Sequence, residues 1–327
     1  MKKIKLTKAQ KKKLFSILVV LVVVCVAGFL SHRGESIQPL VEYFPFLEEI
    51  FPQESVPAGA PVMDGAGLRV HILDVGQADC ILIQGPEKVL VIDGGESGDA
   101  STIIQYLQKQ GVERIDYYLN THPHSDHYGG ITQVMQAIPT GEFFHHPVPE
   151  EHTPTTRSYQ KLIQYLLDSK TKTTVLDPGD TLDLGGGAVL TILAPLEGYE
   201  DMNNNSLVGR LTFGERAFLF TGDAEKKSEK AILESGVELS ADVYSIPHHG
   251  SNTGMTQKFL DQVKPQYATI SVGKDNDYGH PHRDTIQRLS EGEIPCLRTD
   301  LLGNIVFETD GKTLSLSTDR GEYQKAA

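Results

Sequence analysis

The run His122-Pro123-His124-Ser125-Asp126-His127 places three imidazoles and one carboxylate within six residues. Neutral imidazole nitrogens and carboxylate oxygens suit zinc or a neighbouring divalent metal. The pair His122 with His124 and the pair Asp126 with His127 could serve two ions a few ångströms apart, an arrangement that lowers the pKa of a shared water. The preceding apolar residues predict a strand that ends in this loop, so the run predicts a metal centre rather than a histidine-rich surface loop.

Polar residues also follow other apolar runs, at points where we expect strands to end. Asp93, Asp223 and His248 each occupy such a position. One such aspartate alone is often only a turn former, but together the three complete a set of metal ligands. Asp223 could bridge two ions, and His248 could complete the second site. Three further candidates for a metal or substrate contact are His249, Asn205 and Asp79.

The elements that must position these residues are short apolar strands, which alternate with helical segments after residue 67. Predicted strands cover residues 68–73, 80–84, 89–92, 115–119, 188–193, 207–213, 217–220, 243–246, 267–271 and 304–308. Predicted helices cover residues 101–110, 130–137, 158–168, 225–234, 256–263 and 283–289. This mixture predicts an α/β fold in which two sheets pack together with helices outside them.

The amino-terminal part predicts a membrane segment. Residues 1–13 are basic, and residues 14–30 form an uncharged apolar run at the short end of what spans a bilayer. The positive-inside rule then places residues 1–13 in the cytoplasm and the rest of the chain outside, on a transmembrane anchor. A cleaved signal peptide, which would release a secreted form, is the alternative. Residues 31–66 are proline-rich and predict a linker; residues 67–320 form the folded body, and 321–327 a tail.

The charge and the cysteines limit the partners of the body. The chain has a formal net charge of −13, although its first 30 residues hold seven lysines and no acid. Because the body is acidic, it is a poor non-specific binder of polyanions. An anionic substrate must therefore be captured locally by metals or a few cations. Cys80 and Cys296 lie in apolar contexts, which favours two buried thiols over one disulfide.

Several phrases of the sequence, taken in order, resemble those of the metallo-beta-lactamase fold superfamily. More narrowly, they resemble the extracytoplasmic hydrolase domain of the ComEC competence proteins, and the teichoic acid phosphorylcholine esterases are similar to both. The phrases are LDVGQADCILIQ, LVIDGG, THPHSDHYGG, NNNSLV, FLFTGD, IPHHGS and YGHPH. The resemblance spans about residues 68–318 and implies a four-layer αββα sandwich, a hydrolase domain, with two divalent metals, zinc or manganese, at one sheet edge.

The resemblance also implies a role for each matching residue. His122 and His124 would bind the first metal, whereas Asp126, His127 and His248 would bind the second, with Asp223 between the two ions. Asp93 would orient the metal loop, and Asp126 would hold a metal-bound hydroxide for attack.

One ligand of the superfamily is missing from the sequence. Many members carry a further histidine before the strand that leads to Asp223, and here that region reads Asn203 to Ser206. The first metal could therefore be weaker, could use an amide oxygen of Asn204 or Asn205, or could recruit His249.

Two other loops are expected to overlook the metals. Asp74, Gln77 and Asp79 lie in a tight turn whose alternative interpretation is a plain hairpin turn. His280, in the YGHPH phrase, is a catalytic candidate that could hold a phosphate oxygen or protonate a leaving group, unless it is a solvated loop residue. The remaining histidines in the chain's proline-rich middle, namely His145, His146 and His152, are predicted to be surface residues.

These observations predict hydrolysis of a phosphodiester, in DNA or in a cell-wall polymer, at the outer face of the membrane. A metal-bound hydroxide would be the nucleophile. An esterase that releases phosphorylcholine from wall polymers is one alternative, and a non-catalytic binding module on the same fold is another. A true beta-lactamase fits the HHGS and NNNSLV phrases poorly. The sequence does not identify its protein partners.

Overall fold

The structure, a computed structural model, describes residues 67–147 and 149–320. The predicted basic tail (1–13), membrane anchor (14–30), linker (31–66) and carboxyl-terminal tail (321–327) lie outside these residues. Within the described ranges, no helix combines the length and the apolar character that a membrane crossing requires.

The described strands are numbered β1 to β15 in chain order. They are β1 (Leu68–Ile72), β2 (Ile81–Gln84), β3 (Val89–Ile92), β4 (Ile115–Leu119), β5 (Thr140–His145), β6 (Lys172–Val175), β7 (Thr181–Asp183), β8 (Val189–Ala194), β9 (Val208–Phe213), β10 (Arg216–Phe220), β11 (Val243–Ser245), β12 (Tyr267–Ile270), β13 (Cys296–Arg298), β14 (Ile305–Thr309) and β15 (Leu314–Thr318).

The described helices are numbered α1 to α8. They are α1 (Ala100–Lys109), α2 (Ser125–Tyr128), α3 (Ile131–Ala137), α4 (Arg157–Ser169), α5 (Lys226–Ser235), α6 (Gln257–Val263), α7 (Arg283–Glu291) and α8 (Thr299–Leu302). Short 3₁₀ turns cover Glu150–His152, Asn203–Asn205 and His248–Gly250.

The strands form two sheets of similar design. The first has eight strands in the order β15-β14-β1-β2-β3-β4-β5-β6, and the second has seven in the order β13-β12-β11-β10-β9-β8-β7. Antiparallel pairing in each gives way to a parallel series, β3 to β6 in the first sheet and β10 to β13 in the second. Parallel strands end at a common edge of their sheet, so both sheets supply a row of adjacent loops there.

Three buried clusters of apolar side chains hold the layers together. The central cluster lies between the sheets, where Leu90 and Ile92 of β3 meet side chains of the second sheet such as Phe218. Val91, the residue between them, points the other way into a cluster with α1, α3 and α4. The third cluster packs α5, α6 and α7 on the second sheet. The alternation along β3 is the two-residue period of a strand buried on both faces, and the predicted αββα sandwich is confirmed.

The sequence prediction missed several elements, most of them short or exposed. The strands β5, β6, β7, β13 and β15 and the short helices α2 and α8 were not predicted. β6 is mostly exposed and reads Lys-Thr-Thr-Val, so it lacks an apolar alternation. β7 and β13 have three residues each, which is too short for a period to be recognised.

Candidate metal centre

The predicted ligands meet where the parallel strands of the two sheets end. Asp93 follows β3 and Asn120 follows β4, and the register pairs Ile92 with Leu119 immediately before them. Asp223 follows β10, and His248 follows β11, which pairs with β10 in parallel. Loops that are distant in sequence are therefore brought to one edge by strand pairing.

The first group of donors consists of His122, His124 and Asp223, whose ligand atoms lie within 4.8 Å of one another. The Nε2 atom of His122 lies 2.8 Å from Nδ1 of His124 and 3.6 Å from Oδ2 of Asp223. Burial lowers the pKa of both histidines. They are therefore neutral imidazoles, the form in which histidine binds a metal.

The second group consists of Asp126, His127, Asp223 and His249, again within 4.8 Å of one another. The Nε2 atom of His127 lies 3.3 Å from Oδ1 of Asp223, and Nε2 of His249 lies 3.0 Å from Oδ2 of Asp126. Asp223 belongs to both groups and turns a different oxygen to each. This is the geometry of a bridging ligand.

The histidine of the second group is a correction to the sequence prediction. His248 was predicted to complete the second site, and His249 was considered for the first. The structure puts His249 beside Asp126 and leaves His248 with its Nε2 atom 3.8 Å from Oδ2 of Asp223. His248 and His249 therefore have the reverse of their predicted positions relative to the two donor groups. Both have left-handed backbone angles, with φ of 50° and 52°, which the sequence did not reveal.

The donor set fits a pair of divalent ions. Nε2 of His127 and Oδ1 of Asp223 are both buried, and neither has a hydrogen-bond partner among the described residues. Buried polar atoms are nearly always paired, so two that converge without a partner indicate that a cation belongs between them. Mixed imidazole and carboxylate donors in two groups suit divalent transition metals.

The charges of the site support the same conclusion. Burial alone would lower the pKa of His127, but the carboxylates of Asp223 and Asp93 outweigh it and raise that pKa well above its ordinary value. Burial would raise the pKa of Asp223, yet His127 and His122 hold it well below its usual range. The carboxylates thus stay ionised and hold a proton on His127, which a divalent ion would displace.

Asp93 orients the second group from behind, in the position that the sequence predicted for it. Its Oδ2 atom accepts hydrogen bonds from Nδ1 of His127 (2.8 Å) and from the Thr121 hydroxyl (2.6 Å). Its Oδ1 atom accepts from the side-chain amide of Asn120 and the backbone amide of Thr121, each at 2.8 Å. The bond to Nδ1 fixes the tautomer of His127 and turns Nε2 towards the site.

His122 is held by two hydroxyls that the sequence prediction did not identify. Its Nδ1 atom lies 3.2 Å from the hydroxyl of Thr121 and 3.2 Å from that of Ser206, which also accepts from the backbone amide of Asp223. Thr121 gives its proton to Asp93, so its oxygen can accept from Nδ1 of His122, and that tautomer leaves Nε2 for a ligand. Ser206 stands next to the asparagines of NNNSLV, and that position was the only available signal.

The asparagines considered as metal ligands have structural roles instead. Asn205 accepts from the backbone amide of Tyr199 and donates to the carbonyls of Tyr199 and Asp201. Asn204 donates to Asp201 and accepts from the backbone amide of Ser228. Their amides fold the loop before β9, and the prediction that Asn204 or Asn205 contributes an oxygen to the first metal is wrong.

A loop from β1 to β2 and a loop after β12 form the rim of the site. Oδ1 of Asp79 lies 3.8 Å from Nδ1 of His249, which itself donates to the carbonyl of Ser271. Asp79 also forms a third donor group with Asp93 and His127. Asp74 turns elsewhere and pairs with Arg320 at 2.8 Å, so the expectation that it overlooks the metals is wrong.

Gln77 fixes the ring of His280 at this rim. Oε1 of Gln77 accepts from the backbone amide of Gly273 (3.1 Å), so its amide nitrogen is the group that faces Nδ1 of His280 at 3.3 Å. Nδ1 therefore accepts, and Nε2 of His280 carries the proton. Burial and the neighbouring His248 and His249 lower the pKa of His280 to about 4. His280 is thus a neutral donor beside the metal ligands.

An apolar cleft of about 200 Å³ adjoins the first donor group. Its lining includes His122, Phe143, Tyr159 and the two histidines His145 and His146 that were predicted to be plain surface residues. The pKa of His145 is lowered by burial, and His146 donates to the carbonyl of Leu176. His145 and His146 therefore line a concave surface, because the end of β5 lies beside the loop that carries His122.

Comparison with known proteins agrees with the fold and the motifs. Residues 73–274 match the profile of the metallo-beta-lactamase superfamily. The chain is 27% identical over 269 residues to ComE operon protein 3 of Bacillus subtilis, which covers 76% of this chain and 34% of that protein. It is 30% identical over 288 residues to Competence protein ComA of Neisseria gonorrhoeae, which covers 87% of this chain and 35% of that protein. The chain thus spans about a third of the length of these relatives, and the resemblance drawn from the motifs is confirmed.

One solved structure shares the architecture. The metallo-beta-lactamase fold protein YhfI from Bacillus subtilis superposes with a TM-score of 0.50, covers 74% of this chain and 100% of that chain, and is 14% identical. At that identity the likeness concerns the fold alone.

Proposed function

Because the chain belongs to the metallo-beta-lactamase superfamily, whose members are largely metal-dependent hydrolases, we propose that it is a metal-dependent phosphodiesterase that acts on DNA. The observation that carries the proposal is the pair of donor groups that share Asp223. Two ions held there would polarise a phosphoryl oxygen, lower the pKa of a water and clamp the attacking and leaving oxygens. A phosphodiester, with its charged non-bridging oxygens, is a substrate that such a pair would stabilise in the transition state.

The protein residues would prepare the site for this chemistry. Asp126 is ionised, since His127 and His249 outweigh the effect of burial and lower its pKa. Its side chain is 26% exposed, so an oxygen can reach the open face of the site and orient an attacking water. His280 carries a proton on Nε2 and could donate a hydrogen bond to the oxygen of the leaving group.

DNA is favoured as the substrate by the relatives rather than by a groove in the protein. Two of the similar proteins are named for competence, and a third, 28% identical over 264 residues, is Recombination protein 2 of Haemophilus influenzae. The acidic composition disfavours binding of a strand along the protein surface, so a strand would have to be captured locally at the metal centre. We further propose that residues 14–30 anchor the chain in the membrane and place the domain outside the cytoplasm.

A phosphorylcholine esterase of wall polymers is the second candidate. The apolar cleft beside His122 favours it, because a site with Phe143 and Tyr159 close to the first donor group could accept a quaternary ammonium group. A non-catalytic module is disfavoured, since loss of His124 or Asp223 would be expected in such a protein and both are present.

The test is hydrolysis by the 327-residue chain, purified in detergent and loaded with zinc or manganese. The substrates are bis-p-nitrophenyl phosphate, single-stranded and duplex DNA, p-nitrophenyl phosphorylcholine and a beta-lactam. We expect cleavage of the diester and of DNA, and its loss in His124→Ala. The variant His152→Ala, changed outside the two donor groups, is the control. A chain that binds no divalent ion and cleaves none of these compounds would overturn the proposal.

Alkaline extraction of membranes from cells that express the chain tests the anchor. We expect the chain to stay in the membrane pellet and to become extractable when 14–30 is deleted. Extraction of the unaltered chain by alkali would contradict the anchor but would not bear on the proposed activity.

A further inference from the structure

His248 lies at the edge of the first donor group. Its Nε2 atom is 3.8 Å from Oδ2 of Asp223, the same oxygen that lies 3.6 Å from Nε2 of His122. His127 faces the other oxygen, Oδ1, at 3.3 Å. Oδ2 of Asp223 thus faces His122 and His248, whereas Oδ1 faces His127.

The other ring nitrogen of His248 is already committed. Nδ1 donates to Oε1 of Glu225 at 3.0 Å, and the hydroxyl of Thr253 lies 3.3 Å away. The amide nitrogen of Asn203 lies 3.2 Å from the same carboxylate oxygen. With its proton on Nδ1, His248 has a lone pair on Nε2, directed to the side of Asp223. A carboxylate behind a histidine is the usual support of a metal-bound imidazole.

The adjacent residue is arranged in the same manner but for the other group. Nδ1 of His249 donates to the carbonyl of Ser271, and its Nε2 lies 3.0 Å from Asp126. The two rings are inclined by 70° with their centroids 6.2 Å apart. Consecutive left-handed residues other than glycine are costly and persist where the surroundings require them. Here they allow one dipeptide to present an imidazole to each donor group.

We propose that His248 is the third imidazole of the first metal site, with Glu225 and Asn203 as its positioning residues. It would replace the histidine that the sequence lacks in the Asn203–Asn205 region. His248 lies outside the 4.8 Å that encloses the first group, and its side chain is 25% exposed, so it has room to close on an ion. The inference rests on the proposed binuclear site, but it concerns metal binding and does not depend on the substrate.

The test is the binding of Co²⁺ to the full chain, with the ion content measured by elemental analysis and the affinities by titration of the visible absorption. We expect two ions in the unaltered chain. Glu225→Gln, which removes the support of the ring, should weaken one of them by about 10- to 100-fold, and His248→Ala, which removes the proposed ligand, should weaken the same ion by at least as much. His152→Ala serves as the matched control, and circular dichroism checks the folding of every variant.

Double variants decide which ion His248 binds. His124→Ala combined with His248→Ala removes two ligands of one proposed site and should leave one ion bound. His124→Ala combined with His249→Ala removes one ligand from each site and should weaken both ions. The opposite pattern would overturn the assignment and restore His248 to the second site.

Other outcomes separate this inference from the proposed function. If His248→Ala binds two ions with unchanged affinity, the inference is overturned and the proposed function is not. A fall in turnover in that variant would then indicate that His248 contacts substrate rather than metal. An unaltered chain that binds no ion would overturn both. If His248→Ala does not fold, His248→Asn, which keeps a small polar side chain, replaces it in the same titration.

Discussion

Nε2 of His127 and Oδ1 of Asp223 face each other at 3.3 Å in the interior, and the other described residues leave both atoms without a hydrogen bond. His127 lies in α2, the short helix that follows β4 of the first sheet, and Asp223 lies in the loop after β10 of the second. The contact therefore joins the two halves of the sandwich at the point where the donor groups meet.

Replacement of Asp223 tests this contact directly. Asp223→Asn keeps the shape of the side chain but removes the charge that serves both donor groups. We expect the bound metal to fall below one ion per chain and hydrolysis of bis-p-nitrophenyl phosphate to fall by about 10³-fold, a loss typical of a group that stabilises transition-state charge. Elemental analysis and initial rates measure both, and rates within twofold of the unaltered chain would refute the bridging role.

Asp93 should matter to stability as well as to metal affinity. Asp93→Asn places an amide nitrogen where Oδ2 now accepts from His127 and Thr121, so two buried bonds lose their acceptor. We expect a loss of about 2–4 kcal/mol in the free energy of unfolding, as for other buried charged hydrogen bonds. Urea denaturation of the metal-free chain measures it. Asp261→Asn, at an exposed position on α6, is the control, and equal losses in the two variants would contradict the argument.

Gln77 should control which nitrogen of His280 carries the proton. Gln77→Glu replaces the donating amide by a carboxylate oxygen, so Nδ1 of His280 should gain a proton and its pKa should rise from about 4. Nitrogen-15 spectra of the histidine rings report the tautomer, and we expect kcat to fall by about 10-fold. Gln77→Met removes the bond without adding charge and should leave the pKa of His280 low. An unchanged tautomer in Gln77→Glu would show that Gln77 has only a packing role.

The burial of His71 predicts that the protein loses stability in acid, and this effect does not depend on the metal centre. Burial lowers its pKa from 6.5 to about 3, with Nδ1 accepting from Tyr106 and Nε2 donating to Gln84. Between pH 3 and pH 6.5 the unfolded chain therefore binds a proton that the folded chain does not. The free energy of unfolding should fall in this window by about 1.4 kcal/mol per pH unit as the pH decreases.

The comparison of His71→Gln with the unaltered chain isolates this effect. The variant cannot titrate at residue 71, so its free energy of unfolding should vary less with pH between 3 and 6.5, even though its absolute stability is lower. Denaturation midpoints measured across the window give the two slopes. His152→Gln should keep the slope of the unaltered chain, and parallel slopes for His71→Gln would show that another group is responsible.

The sequence alone determined the features that depend on neighbours along the chain. The six-residue run from His122 to His127 brings its donors together because a strand and a tight loop fix their spacing. Asp93 and Asp223 were recognisable because Asp93 directly follows a buried apolar strand and Asp223 comes three residues after the end of another. The alternating and helical periods of the long elements predicted two packed sheets with helices outside them, since those periods record which face is buried, and the resemblance of the motifs implied the αββα sandwich.

The tertiary structure decided the features that depend on residues far apart in sequence. The duplicated strand order of the two sheets is invisible in the sequence because it lies in pairing rather than in residue type. Asn204 and Asn205 were plausible ligands until Tyr199, Asp201 and Ser228 were seen to use their amides. His248 and His249 have the same side chain, adjacent positions and similar left-handed φ angles, so their acceptors, Glu225 and Ser271, are what distinguish them. Those acceptors lie on other loops, and only the fold brings them into contact.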